Sequence, residues 1–204
     1  MLRKTTAALA VLVGLALAPA GTANATGNAT GNGGGVGAVG SAGSANSADA
    51  AGAAESCSVG WGSQDKLSGD TSPGVLVDLR AGQQECFDRL VFDIPGGGAG
   101  EGHLVGYRDE IHADGSGEVI PLRGGAKLLV VAHSPAYDDS GAPTYAFADR
   151  NELVDVTGYR TFRQVAWGNS FEGYSTVGLG VRARLPFRVF TLPGRLVVDV
   201  AHSW

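Results

Sequence analysis

Four histidines, two cysteines and a scatter of carboxylates are the groups with which this 204-residue chain could do chemistry. A serine nucleophile on a strand-to-helix elbow needs Gly-x-Ser-x-Gly, because the strained turn exposes the hydroxyl. The nearest match, Gly168-Asn169-Ser170-Phe171-Glu172, lacks the last glycine and reads as a hairpin turn. A hydrolytic zinc site needs clustered ligands such as His-Glu-x-x-His, and His103, His112, His133 and His202 show no such spacing. Gly178-Leu179-Gly180-Val181-Arg182-Ala183 fits a loose dinucleotide fingerprint, but that motif works only where a helix N-terminus meets the pyrophosphate. Strand-like residues flank it on both sides, where glycines mark a bulge or a close backbone approach. Asp114-Gly115-Ser116-Gly117-Glu118 could be a weak calcium loop and Asp138-Asp139 a carboxylate pair, yet both lie in turn-rich acidic segments. The expectation is a protein with no catalytic residues, no metal and no cofactor.

Binding chemistry is better represented. Aromatic faces pack against sugar rings, and guanidinium groups pair bidentately with carboxylates. Tyr159, Arg160, Arg163, Trp167, Phe171 and Tyr174 gather around one hairpin, and Tyr107-Arg108 stands beside Asp109-Glu110. These eight are the expected ligand-binding residues. A competing reading puts Trp167 and Phe171 in the core and uses the arginines to cap strand carbonyls or to pair with Asp155 and Glu172. Tyr107-Arg108 equally suits a solvated strand edge. Phe162 and Val165 do not share one parity, so a bulge must intervene if both are buried, and faces stay unassigned there.

Cys57 and Cys86 are the only cysteines. An even count in an oxidising compartment points to one disulfide; free or intermolecular thiols are the alternative. Of the 15 basic and 20 acidic residues, Arg3, Lys4 and Asp49 precede Glu55, which leaves 13 and 19 from there on. That mildly acidic remainder, with no basic block, carries no electrostatic footprint for nucleic acid or for anionic membranes.

The elements that must position these groups read as strands. Segments 88–94, 103–111, 117–122, 126–133, 159–167, 174–184, 187–192 and 195–201 are short, rich in Val, Leu, Phe and Tyr, and often alternate. Glycine, proline and Asp-Gly turns separate them at intervals typical of a sandwich. Only 149–154 invites a helical turn, where Asp149 and Glu152 have capping-box spacing. The fold class is therefore all-β, a compact β-sandwich or partly open barrel with at most one or two short helical turns. Arg89-Leu90-Val91-Phe92-Asp93-Ile94 and Arg195-Leu196-Val197-Val198-Asp199-Val200 share Arg-Leu-Val-x-Asp-aliphatic, so two strands are expected at related positions.

The beginning of the chain reads as an export signal. Arg3 and Lys4 precede an apolar run from Ala7 to Ala18, shorter than the roughly 20 residues that span a bilayer. Small-residue cleavage patterns lie at Ala18-Pro19-Ala20 and Ala23-Asn24-Ala25, the latter favoured, so 1–25 is expected to be removed, leaving no stable membrane insertion. A lipid anchor at Cys57 is disfavoured by Glu55, and Leu192-Pro193-Gly194 lacks what a wall-sorting signal needs. Residues 26–56, nearly all Gly, Ala, Ser, Asn and Thr, cannot bury enough apolar area to order themselves. They read as a disordered linker of roughly 30 Å reach, either a tether or a leader without a task. The folded domain is expected over 57–204.

Gly158-Tyr159-Arg160-Thr161-Phe162-Arg163-Gln164-Val165-Ala166-Trp167, Ser170-Phe171-Glu172-Gly173 and the run from Gly178 to Phe190, together with the echoed strands, resemble the AMIN-like domain of exported actinobacterial proteins. The likeness covers nearly all of 57–204. It implies a compact β-sandwich of the cell envelope, secreted and associated with the cell wall. AMIN domains proper are non-catalytic modules that bind peptidoglycan and position amidases or secretion-pore components. No such partner domain accompanies this one, so anything it localises is expected to come from another chain. The resemblance thus implies peptidoglycan or an envelope protein as partner. An assembly domain that adds a partner strand at a sheet edge is the alternative, favoured if 103–111 or 195–201 lies at an edge. A wall or polysaccharide hydrolase is the third.

Overall fold

Alternating apolar residues bounded by glycine and proline turns form an all-strand, antiparallel architecture. The computed structural model describes residues 57–204 apart from Asp70 and Ala99, so the expected signal peptide and linker lie outside the described residues. The strands are β1 (Lys66–Ser68), β2 (Asp78–Gln83), β3 (Phe87–Asp93), β4 (His103–Arg108), β5 (Ala126–Ala132), β6 (Phe162–Phe171), β7 (Tyr174–Val181), β8 (Phe187–Leu192) and β9 (Arg195–Ala201). They make one sheet in the order β1-β4-β5-β7-β6 and a second in the order β2-β3-β9-β8. Among the described residues no helix is long and apolar enough to cross a membrane.

Alternation along β3 and β9 sends Leu90, Phe92, Leu196 and Val198 inward, where they meet Val105, Leu128, Val130, Val165 and Leu179 of the first sheet in one core. This is a β-sandwich. Two polar side chains fasten the sheets. Asp88, fully buried on the inner side of β3, accepts hydrogen bonds from the backbone N–H groups of Thr161 (2.6 Å) and Phe162 (2.9 Å) at the start of β6. The His202 ring bridges the Asp88 carboxylate, 2.9 Å away, and the Glu85 carbonyl, 3.1 Å away. At the other tie, the Tyr107 hydroxyl on β4 donates to the Leu185 carbonyl and accepts from the Leu185 N–H, just before β8.

Most expected strands are present, with corrections at four places. The segment 159–167 begins as turns and becomes strand only at Phe162, then continues to Phe171. The expected bulge is there, as register shifts at Phe162/Gln164 and Trp167/Asn169, and it lets both Phe162 and Val165 face the core. Segment 117–122 is not a strand; the left-handed turn at Gly117 and Pro121 leave one bridge, His112 to Val119. The turn at 149–154 stays a turn: Asp149 caps the Asn151 N–H at 2.8 Å, but the Glu152 carboxylate is taken by Arg123. β1 and β2 were not expected, since neither has an apolar alternation of useful length. The Gly178 and Gly180 pair serves close approach: a Cβ at Gly180 would stand 2.1 Å from the Arg123 carbonyl oxygen.

Cys57 and Cys86 form a disulfide, 29 residues apart. It fastens the chain before β1 to the β2–β3 turn. A loop of that length lowers the entropy of the unfolded chain by an amount worth about 3–4 kcal/mol. Reduction should lower Tm by about 10 °C for a domain of this size, and a shift below about 1 °C in a thermal melt with reductant would contradict it. Asp88→Ala, which strands two buried N–H groups, should cost about 3 kcal/mol; urea unfolding that shows less than about 1 kcal/mol would contradict the tie.

Candidate functional site

The echoed strands are neighbours. β3 and β9 pair antiparallel with Arg89 opposite Asp199 and Asp93 opposite Arg195. Arg-Leu-Val-x-Asp is thus complementary to itself when read in opposite directions, since each arginine meets the other strand's aspartate. The strand period of two turns both ionic pairs away from the core that holds the leucines.

Each flanking strand adds a second arginine. Asp199 accepts Arg89 Nε and Nη2 at 2.7 and 2.9 Å and Arg188 Nε of β8 at 2.8 Å. Asp93 accepts Arg80 Nη2 of β2 at 2.7 Å and lies 3.3 Å from Arg195. Four guanidiniums therefore converge on two carboxylates, and the face keeps a positive excess even with Asp78 at its margin. The Arg80 hydrogen bonds hold the Asp93 carboxyl below the usual carboxylate range, and Asp199 raises the Arg89 guanidinium further.

The two halves differ in cover. Asp199 is wholly inaccessible, whereas the Asp93 side chain keeps 20% exposure. Around Asp199 the arginines lie among aromatic rings. Arg188 Cζ is 4.4 Å from the Trp61 ring centroid and about as near Phe87 and Phe190, at 5.3 and 5.2 Å. Arg89 Cζ lies 5.2 Å from Phe87 and 5.4 Å from Phe190. Trp61 meets Phe87 edge to face at 5.6 Å. Cation–π attraction and the shared carboxylate fix both guanidinium planes, so little side-chain entropy remains to be lost when a ligand arrives. Both arginines are part-exposed, at 31% and 41%. The arrangement suits a carboxylate on the guanidinium edges with a ring or aliphatic stretch against the flanking aromatics.

The residues expected to bind ligand are spread more widely. Tyr159 stacks on Phe162 and borders a groove with Arg123, Glu152 and Arg163. Arg163 gives its N–H groups to the carbonyls of Tyr159, Phe162 and Arg160, which is the capping role. Arg160 donates to the Glu85 carbonyl. Trp167 is buried against Tyr145 and Phe147, while Phe171 is 51% exposed and Tyr174 packs edge-on against His133 at the hairpin tip. At about 3.3 Å per residue, β6 is roughly 30 Å long. Tyr159 and Arg163 therefore lie at the opposite end of it from Phe171 and Tyr174, and the structure does not bring the six into one place. Tyr107 is buried; Arg108 pairs with Asp65 at 2.8 and 3.1 Å, and both border a polar groove of about 400 Å³ with Asp109, Lys127 and Arg184. Of the strands whose edge position would favour partner pairing, β9 is interior and β4 lies inside the three-residue β1.

Sequence reasoning missed Trp61, Phe87, Arg89, Arg188, Phe190 and Asp199 as a group. The signal was the repeated Arg-Leu-Val-x-Asp, whose charged positions gain meaning only once the two copies are paired. Residues 74–202 match the family described as AMIN-like domain, a span that holds both copies. No curated protein and no solved structure matches the chain.

Asp199→Asn should destabilise the protein by about 2–4 kcal/mol, because it leaves two arginines facing a buried neutral group; Asp93→Asn should cost less, and urea unfolding giving the reverse order would contradict the difference in cover. The folded pKa of Asp93 lies below its unfolded value of about 3.9. Its stabilising contribution is then complete above that value and lost as pH falls through the folded one. Tm measured from pH 7 to 2 should fall less steeply below about pH 4 in Asp93→Asn than in the parent, and parallel acid branches would contradict it.

Proposed function

The chain belongs to the AMIN-like domain family, and on that premise we propose that it is a non-catalytic module of the cell envelope that binds peptidoglycan through the arginine face of its second sheet. Family membership and the closed disulfide support an extracytoplasmic protein. AMIN-like domains are in general binding modules rather than catalysts. The observation that carries the reading is the pair Arg89 and Arg188, both locked on Asp199 among Trp61, Phe87 and Phe190.

Peptidoglycan offers the complementary groups. Its stem peptides carry carboxylates, which the outward guanidinium edges can take in charge-assisted hydrogen bonds, and its sugar rings carry C–H faces that suit Trp61 and Phe87. Pre-set arginines make the contact selective for a carboxylate at a fixed distance from an apolar surface, in place of a general attraction to negative charge. The domain as a whole is mildly acidic, so the attraction is local to this face. Residues 26–56, read as a tether, would let the domain reach its ligand away from other material.

The test is sedimentation of the purified protein with sacculi freed of phosphate polymers. The parent should pellet, with Arg188→Ala and Arg89→Ala each about tenfold weaker, in line with losing one charged hydrogen bond of about 1.5 kcal/mol. Arg163→Ala, whose N–H groups are used on backbone carbonyls, should pellet like the parent. Equal pelleting of all variants, or none by the parent with its disulfide intact, would contradict the assignment.

A further inference from the structure

The register of the second sheet divides its outer face into rows. One row places Arg89, Asp199 and Arg188 side by side across β3, β9 and β8. Two residues along the strands, Val91, Val197 and Phe190 stand in line, with Arg80 at the β2 end. Two residues further, Asp93 faces Arg195, with Asp78 at the β2 end. The first and third rows are thus separated by four residues of strand, about 13 Å at 3.3 Å per residue.

The two charged clusters are built alike. Each aspartate holds one bidentate guanidinium, Arg89 on Asp199 and Arg80 on Asp93. Each also meets a second arginine through Nε, Arg188 at 2.8 Å and Arg195 at 3.3 Å. A guanidinium carries five N–H donors in a planar fork, so an Nε contact leaves the Nη groups of these two for an incoming acceptor. Their side chains are 41% and 53% exposed. With two guanidiniums on one carboxylate, each cluster carries a surplus positive charge. Asp78 offsets part of it beside Arg80, but Arg195 lies two strand spacings from Asp78, about 10 Å.

Between the clusters the face is apolar. Val197 is 2% exposed, and Val91 and Phe190 are half-buried beside it. A ligand charge set over this strip would lose its hydration with nothing to replace it. A single carboxylate, on the other hand, answers the surplus of one cluster and leaves that of the other. A ligand that is negative, apolar and negative again along its length answers both. On the reading that this face takes stem-peptide carboxylates, we propose that it takes two at once, about 13 Å apart and joined by an apolar stretch. One lies on Arg188 and Arg89, the other on Arg195 and Arg80. In an extended peptide this is the spacing of acidic side chains at positions i and i+4 with an apolar side chain at i+2, since alternate residues share a face.

The experiment is a titration of the ¹⁵N-labelled protein with three pentapeptides, acetylated and amidated so that only side chains carry charge. Glu-Thr-Val-Thr-Glu has the proposed spacing, Glu-Thr-Val-Thr-Gln has one carboxylate, and Glu-Thr-Glu-Thr-Val brings the same two carboxylates to about 7 Å. The first should bind about tenfold more tightly than either of the others, the gain of one further charged hydrogen bond. It should move the Nε–H resonances of Arg188 and Arg195 along one saturation curve. Arg195→Gln, a change at a half-exposed side chain, should lower its affinity to that of the one-glutamate peptide. Equal affinity of the first and third peptides, or an undiminished affinity in Arg195→Gln, would overturn the proposal and leave the single-carboxylate reading in place. No binding of any of the three at millimolar concentration would overturn it as well, and sedimentation with sacculi then decides the reading beneath it.

Discussion

A carboxylate with no exposure on the outer side of a sheet is the constraint around which much of this domain is arranged. An ionised aspartate deprived of water is tolerated only with opposite charge and hydrogen bonds in place, and Asp199 has two guanidiniums from two different strands. Those arginines in turn need cover, which Phe87 and Phe190 supply from the sheet and Trp61 from the chain before β1. Trp61 stays in place because its segment is tied on both sides. Cys57 is bonded to Cys86, the Gly62 carbonyl accepts the Phe187 N–H, and Arg184 donates to the Ser63 carbonyl. The disulfide, the first strand and the hairpin β8–β9 therefore share one energetic unit centred on Asp199.

Asp88 performs the matching task inside. It lies on β3 one residue before Arg89, so the strand alternation turns it toward the core where Arg89 turns outward. Its partners are backbone N–H groups of the opposite sheet and the His202 ring, not arginines. One strand thus joins the two sheets through an inward aspartate and builds the arginine face through an outward arginine. This coupling explains why the candidate face is rigid: its strand is fixed on both sides.

Much of the architecture was legible from alternation and turn residues. β8 is legible at Phe187–Leu192 because Pro186 and Pro193 flank it, and the start of β9 at Arg195 because Gly194 precedes it. β2 was hidden because Asp-Leu-Arg-Ala-Gly-Gln carries little apolar signal, and what makes it a strand is the long-range pairing with β3. Residues 117–122 had the pattern of a strand but lie against a loop in place of a sheet neighbour. For the site, the repeated motif was visible, but register was not. Whether Arg89 faces Asp199 or misses it by a residue depends on a pairing between segments 110 residues apart, and a slip of one would turn every charge inward. Trp61 carried no signal at all, since it belongs to no strand.

The direct test of the account is to follow the arginine side-chain Nε–H resonances while a muropeptide with a free stem-peptide carboxylate is added. Arg89 and Arg188 share one carboxylate and should move together along one saturation curve, while the Nε–H of Arg163, whose two Nη groups are held by the carbonyls of Tyr159, Arg160 and Phe162, stays in place. Movement at Arg163 without Arg89 and Arg188, or no movement of any arginine at saturating muropeptide, would contradict the claim that pairing the two Arg-Leu-Val-x-Asp strands creates the binding face.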